Sequence, residues 1–256
     1  MTDMAAINAI VSALELPPGA RVDARVPKKI LVEQGAPTAA DKRAIQSGVE
    51  EIQWMAALKP NTVAIPAFAD AARNYLEIAV IGSIFRAGAR IARLTELIHR
   101  AIPYPVVLIT ADPGGVAMSV APKRAAQNEG GKVVVERVVA VDVLAPLVPP
   151  DMERAFMNSL PLSNQPSRDL SAVYDGWLAR IEALAAARLS GAYVANDDAQ
   201  TIERRRAALE SHAQLARDIA GLRAKATREK QLNRRVDLNI EIQRLEQALA
   251  AQKQHL

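Results

Sequence analysis

The sequence predicts an α+β chain: a mixed α/β sheet domain over residues 1–148, then an all-α region over 149–256 that ends in a coiled coil. Three observations carry this. β-Branched runs at Tyr75–Phe85, Val106–Thr110 and Lys132–Leu144 alternate with segments of helical spacing. Leu147-Val148-Pro149-Pro150 then interrupts the pattern, and past Tyr193 the chain has no aromatic residue and is rich in Ala, Leu, Arg, Glu and Gln. Finally, Leu238, Ile242, Leu245 and Leu249 repeat at the 4-3-4 spacing of a coiled-coil seam.

Composition narrows the chemistry. Of 256 residues, 50% are hydrophobic but only 4% are aromatic, so the core is aliphatic and alanine-rich. With no cysteine, disulfides, thiolate metal sites and cysteine nucleophiles are excluded, which fits a reducing compartment. His99, His212 and His255 lie in separate segments and do not suggest a metal cluster. The opening MTDMAAINAIVSALELPPGA carries an acid and no basic leader, and Ile78–Phe85 is far too short for a membrane span. A cytoplasmic protein with no membrane partner and no cofactor is expected. The net charge of +4 permits contact with nucleic acid without demanding it.

In chain order, Ile7, Ile10, Val11 and Leu14 predict a short opening helix, stopped by Pro17-Pro18-Gly19. Alternation from Val22 to Val32 suggests extended structure broken at Pro27, with Lys28 and Lys29 as a solvated rim. Thr38 with Asp41 three residues on predicts a capped helix over Ala39–Gly48. Glu51–Leu58 reads as a strand with Ile52, Trp54 and Ala56 on one face, and Thr62–Ile65 as a short extended piece. Tyr75–Phe85 is a central strand containing Glu77, and Ala87–Arg100 a helix whose last turn places His99 and Arg100 at the negative end of the dipole. Prolines 103 and 105 end that helix and lead into the strand at Val106. Val116–Pro122 and Lys132–Leu144 are expected to pair across the AAQNEGG loop, giving a sheet of about five strands. Beyond it, Val173, Trp177, Ile181 and Leu184 form a helical stripe, and Asp197 or Asp198 caps the next helix. The last segment is either a helical hairpin turning near 221–228 or one long helix, and its seam needs cover in cis or in trans.

No catalytic constellation emerges. There is no nucleophile elbow, no H-E-x-x-H and no phosphate loop around Asp112-Pro113-Gly114-Gly115. Glu77, Asp112 and Glu136 are the acids open to a metal-dependent nuclease, but none has the acid-x-lysine pairing of such a strand. Tyr104, Lys123, Arg124 and Glu77 are candidates for a surface site. The stronger signal is basic: Arg204, Arg205, Arg206, Arg228, Lys230, Arg234 and Arg235 lie in helical segments that could contact phosphates. The acids Glu203, Glu210, Asp218, Glu229 and Asp237 balance part of that charge, so solvated or coiled-coil-flanking helix faces are the leading reading of it and phosphate contact the second.

Several stretches together resemble one bacterial family. They are Val26–Ile65 (VPKKILVEQGAPTAADKRAIQSGVEEIQWMAALKPNTVAI), Leu76–Phe85 (LEIAVIGSIF), Leu97–Ile109 (LIHRAIPYPVVLI), Lys132–Val138 (KVVVERV) and Glu229–Glu246 (EKQLNRRVDLNIEIQRLE). In order, they resemble domain-of-unknown-function family 4391 over nearly the whole chain. PKK, IPYPV and EKQLNRRVDLN are the most specific pieces, and Leu144–Gln200 is generic. The resemblance implies a setting beside helicases and DNA methyltransferases of restriction or phage-defence systems, and it transfers no catalytic residue. The resulting expectation is a non-enzymatic adaptor. It would dock a helicase or methyltransferase and bind or self-associate through the seam Leu238, Ile242, Leu245 and Leu249. The alternatives are a sequence-nonspecific nucleic-acid-binding module using the basic tail, and a divergent metal-dependent nuclease.

Overall fold

The computed structural model describes residues 3–125, 133–144, 149–195 and 198–252. They form two compact units, Met1–Ile181 and Glu182–Leu256. The expected boundary at 148 falls beside residues 145–148, which lie outside the described residues.

The first unit is a six-stranded mixed sheet in the order β1-β2-β5-β6-β7-β10. Its strands are β1 (Arg21–Arg25), β2 (Val49–Leu58), β5 (Ile78–Phe85), β6 (Val106–Asp112), β7 (Gly115–Val120) and β10 (Val139–Leu144). Only β5 and β6 run parallel, joined through helix α5 (Ile91–Ala101); every other neighbouring pair is antiparallel. Two short ladders stand apart: β3 (Phe68–Ala69) with β4 (Asn74–Tyr75), and β8 (Lys123–Ala125) with β9 (Val133–Val135).

Alternation along β5 sorts the core into two layers. Ala79, Ile81 and Phe85 join a buried cluster with Leu31, Ile45, Leu94, Leu97 and Ile98. These come from α2 (Lys28–Gly35), α3 (Ala39–Gly48) and α5. On the opposite side α1 (Asp3–Ala13) buries Ile7 and Ile10. There Gly82 admits close contact, since a Cβ at that position would sit 2.9 Å from Ile7 Cγ2.

The Thr38 cap holds as expected: its hydroxyl accepts from Asp41 N at 3.1 Å and donates to the Asp41 carboxylate at 2.7 Å. The Arg93 guanidinium, then the Thr38 hydroxyl, holds the Asp41 carboxyl down to about 2. β1, wholly exposed at the sheet edge, is charged, has a register irregularity between Arg21 and Ala24, and carries Asp23 at φ 48°. A bent, charged edge resists added strands.

Several local expectations are corrected. Lys28–Gly35 is helical rather than extended: Pro27 ends the strand, and Leu31 and Gly35 bury one helical face at i,i+4 spacing. Pro60–Val63 is a single helical turn (α4) closed by Ala64 at φ 56°, not an extended piece. Glu77 precedes β5 instead of lying within it. A register irregularity between Trp54 and Ala56 breaks the expected common face of β2 and buries Met55. The pairing after Thr110 is also richer than one hairpin, because β7 lies between β6 and β10, while Lys123–Ala125 pairs separately with Val133–Val135. The connecting segment 126–132 lies outside the described residues.

Helix α6 (Pro150–Ser159) and much of α7 (Leu170–Ser190) belong to the first unit. The stripe Val173, Trp177 and Ile181 is fully buried, and Trp177 Nε1 donates to Leu160 O at 3.0 Å. The second unit is built around α8 (Ala199–Arg228) and α9 (Leu232–Gln252), a helical hairpin turning at residues 229–231. This selects the hairpin over one long helix and puts its turn just beyond the expected one. Asp198 is the N-cap of α8, accepting from Thr201 N at 2.8 Å; Asp197 lies outside the described residues.

The contact between α2 and α5 generates a test. A Cβ on Gly35 would lie 2.7 Å from both Ala101 Cβ and Leu97 O. Gly35→Ala should destabilise by about 1–3 kcal/mol from overpacking, against the ~1 kcal/mol of helix propensity that alanine gains. Denaturant unfolding checks this, with Gly19→Ala as a control because nothing lies within 4 Å of that position. An unchanged midpoint for Gly35→Ala would contradict the close α2–α5 packing.

Candidate functional site

The sequence-derived surface residues gather near the amino ends of β5 and β6, where Lys123 and Glu77 are buried while Tyr104 and Arg124 keep part of their surface exposed. Lys123 is buried, and its Nζ donates to the carbonyl oxygens of Ile102 and Tyr104. Burial pushes its amine down to about 7. Arg124 lies 4.0 Å from Glu136. Glu77 is buried and pairs with Lys59 at 3.1 Å. Tyr104 is 39% exposed and lies against half-buried Trp54, with ring centroids 6.5 Å apart.

His99 corrects another expectation. It is fully buried rather than a cation at the end of α5, and Nε2 lies 3.0 Å from Ser119 Oγ. Burial, then the Lys123 charge, pushes the imidazole down to about 3, so it is neutral at physiological pH. The sequence did not single out the neighbouring Tyr75–Tyr174 edge-to-face pair, 5.6 Å between centroids. No local motif announces it, because its partners are 99 positions apart in sequence. Burial raises the Tyr75 phenol to about 12.

The three acids considered for metal chemistry are not brought together. Glu77 precedes β5, whereas Asp112 ends the parallel strand β6, about 26 Å away along the sheet at roughly 3.3 Å per residue. The Asp112 carboxylate accepts from Gly114 N at 2.5 Å, and Glu136 faces Arg124. Among the described residues, no group of three or more His, Asp or Glu side chains is placed to hold a metal ion. A cleft of ≈ 480 Å³ lies by Arg25, Lys28, Glu50 and Glu51. Its neighbour Arg86 is already spent on Ser47 O at 3.1 Å and on Glu50 at 3.9 Å.

The hairpin presents a different arrangement. The seam is covered within the chain: Ile242 is buried with Ile219 and Ala226, and Leu238, Leu245 and Leu249 pack around them with Leu222. Arg223 and Glu246 tie the two helices at 2.6 Å. The basic residues separate into two groups. Near the start of α8, Arg206 pairs with the buried Glu182 at 3.1 Å and with Glu203 at 3.1 Å. Arg205 is itself buried and donates to Val194 O at 3.4 Å, and Arg204 bonds Thr201 at 3.0 Å.

Arg228, Lys230, Arg234 and Arg235 lie about 33 Å further along, at the hairpin tip. Lys225 joins them, and none of these five has an ion-pair partner among the described residues. Lys225, Arg228 and Arg234 line a cleft of ≈ 550 Å³ with Glu229, Asp237 and Leu238. The Glu229 carboxylate is engaged in the turn, accepting from Gln231 N at 2.8 Å. Leu232, Val236 and Ile240, by contrast, are exposed on α9.

A mixed-sheet unit with a helical hairpin and a basic, partly apolar tip is the class that fold and site define. The model of a family described as Domain of unknown function (DUF4391) matches residues 14–249, and the chain belongs to that family. No curated protein and no solved structure matches it. No helix among the described residues is long and apolar enough to cross a membrane.

Lys123 yields a pH test. Its amine titrates at about 7 in the fold against 10.5 ordinarily, so the unfolded chain binds more protons between those values. Stability should therefore rise as pH climbs from about 7 to about 10. Lys123→Met should flatten that rise in unfolding curves taken across the window, whatever its effect on absolute stability. A rise of equal slope in the variant would show that another group is responsible.

Proposed function

We propose that the chain is a non-enzymatic accessory subunit of a bacterial restriction or phage-defence assembly, acting in the cytoplasm. Its α8–α9 hairpin, an antiparallel coiled coil closed in cis, is the arm that docks a helicase or methyltransferase. The observation that carries this reading is the division of labour on α9. One face completes the hairpin's own core, while the exposed Leu232, Val236 and Ile240 and the tip cations, without ion-pair partners among the described residues, are left for another molecule. Scattered apolar side chains are ordinary on a surface, but three at i,i+4,i+8 spacing beside these cations form a surface suited to a partner. The tie to defence systems rests on the family resemblance.

Affinity purification of the full-length chain from its native host tests this. A helicase or methyltransferase should co-purify and should be lost when residues 200–256 are removed. A chain that purifies alone as a monomer, together with defence that survives that truncation, defeats the proposal.

The five tip cations also favour a second reading, contact with nucleic-acid phosphates. On that reading, replacing Arg228, Lys230, Arg234 and Arg235 together by Gln should lower the slope of log K against log salt by roughly 3–4, at about 0.9 per phosphate contact. DNA binding measured by fluorescence anisotropy over a salt series gives the slope, and an unchanged slope removes this reading.

A further inference from the structure

Resting on the docking role of the hairpin, we propose that the outer face of α9 seats an acidic amphipathic helix of a partner protein. Its apolar anchors would lie on Leu232, Val236 and Ile240 and its carboxylates on Lys230 and Arg235.

The three apolar residues are 63%, 48% and 60% exposed. At 100° per residue they cover an arc of about 80° and a length of about 12 Å, roughly opposite Leu238, Leu245 and Leu249. The inner face already anchors α9 to α8, so the outer stripe is not needed to hold the hairpin together. Further along the same face come Gln243 and Gln247, which confines the apolar anchor to the half of α9 next to the tip.

Charge decides which partner fits. Lys230 and Arg235 border the stripe at its tip end and have no ion-pair partner among the described residues. Arg244, on the far flank, is shared with Glu241 at 3.8 Å. A helix carrying acids beside i,i+4 apolar residues complements both features. A second copy fits less well: antiparallel pairing of two α9 helices centred on Val236 sets the two copies of Arg235 side by side, a like-charge contact. Duplex DNA would satisfy the cations yet leave the stripe in water.

The test uses the full-length chain and a fluorescein-labelled peptide of about 18 residues (five helical turns). The peptide carries leucines at i,i+4 spacing and glutamates on the flanks, and a scrambled peptide of identical composition is the reference. The ordered peptide should bind at least about tenfold more tightly than the scrambled one, because only it presents a continuous apolar face. V236E/I240E should remove that advantage while leaving circular dichroism and the unfolding midpoint unchanged, since both side chains are exposed in the folded chain.

Equal binding of the two peptides overturns the proposal, as does binding that V236E/I240E leaves intact. A dimer of the unmodified chain that V236E/I240E converts to monomer assigns the face to a second copy and overturns it too. So does duplex-DNA binding that falls tenfold in that variant when the peptide does not bind. Native-host purification with the same variant separates this proposal from the docking role. A partner retained by V236E/I240E but lost on removal of 200–256 leaves docking in place and overturns the stripe; a partner retained after that truncation overturns docking itself.

Discussion

The first unit depends on how the proline segment 102–105 satisfies its backbone. Residues 102–105 lie between α5 and β6, outside helix and strand, so their carbonyls need donors from elsewhere. Lys123 Nζ supplies Ile102 and Tyr104, Ala79 N supplies Pro105 at 2.9 Å, and the Tyr174 hydroxyl supplies Val106 at 2.9 Å. Those donors come from β8, β5 and α7, three elements distant in sequence. The same Tyr174 hydroxyl accepts from Ala121 N at 2.7 Å, binding the end of β7 into the arrangement. The parallel β5–β6 pairing starts at this point, and α5 is packed by the cluster beneath it. Burying an amine here is costly, and the depressed Lys123 titration reflects that cost. Each buried carbonyl left without a donor would cost more than a typical hydrogen bond returns.

The second unit follows a different economy. The buried core of its α8–α9 hairpin is small, Ile219, Ala226 and Ile242 with four half-buried leucines around them. Long antiparallel helices need only a narrow seam to pair, which leaves most of their circumference available. That geometry explains why basic residues that look alike in sequence have different roles. Arg206 neutralises the buried Glu182, and Arg205 is buried against the preceding chain. At the tip, Glu229 and Asp237 line a cleft with Lys225, Arg228 and Arg234, yet none of the tip cations forms an ion pair among the described residues.

The fold and the candidate site were unequally legible. The strong β-branched strands, the Thr38 cap and the 4-3-4 seam were readable because each is a local signal of several residues. Lys28–Gly35 was misread because a short apolar run fits extended and helical periods alike until something packs on it; Ala101 against Gly35 decides it. His99 was misread because a helix-end position suggests solvent and dipole, while the actual environment comes from Ser119 and Lys123, twenty and more positions later. Of the proposed site, the cations were visible in sequence, but their lack of ion-pair partners among the described residues was not. The stripe Leu232, Val236 and Ile240 has no local signal of its own, because it shares its helical period with the neighbouring seam.

By itself, then, the sequence determined the class of each unit, the aliphatic core, the absence of thiol chemistry and membership of the family. These follow from composition, periodicity and motif, which do not depend on what the chain packs against. Tertiary structure decided the order of six strands, the separation of Glu77 from Asp112, the burial of Lys123 and His99, and which face of α9 is spent on the fold. Each of these is a question of which distant segment arrives as neighbour, and burial, pairing and proton affinity are properties of the neighbourhood rather than of the residue.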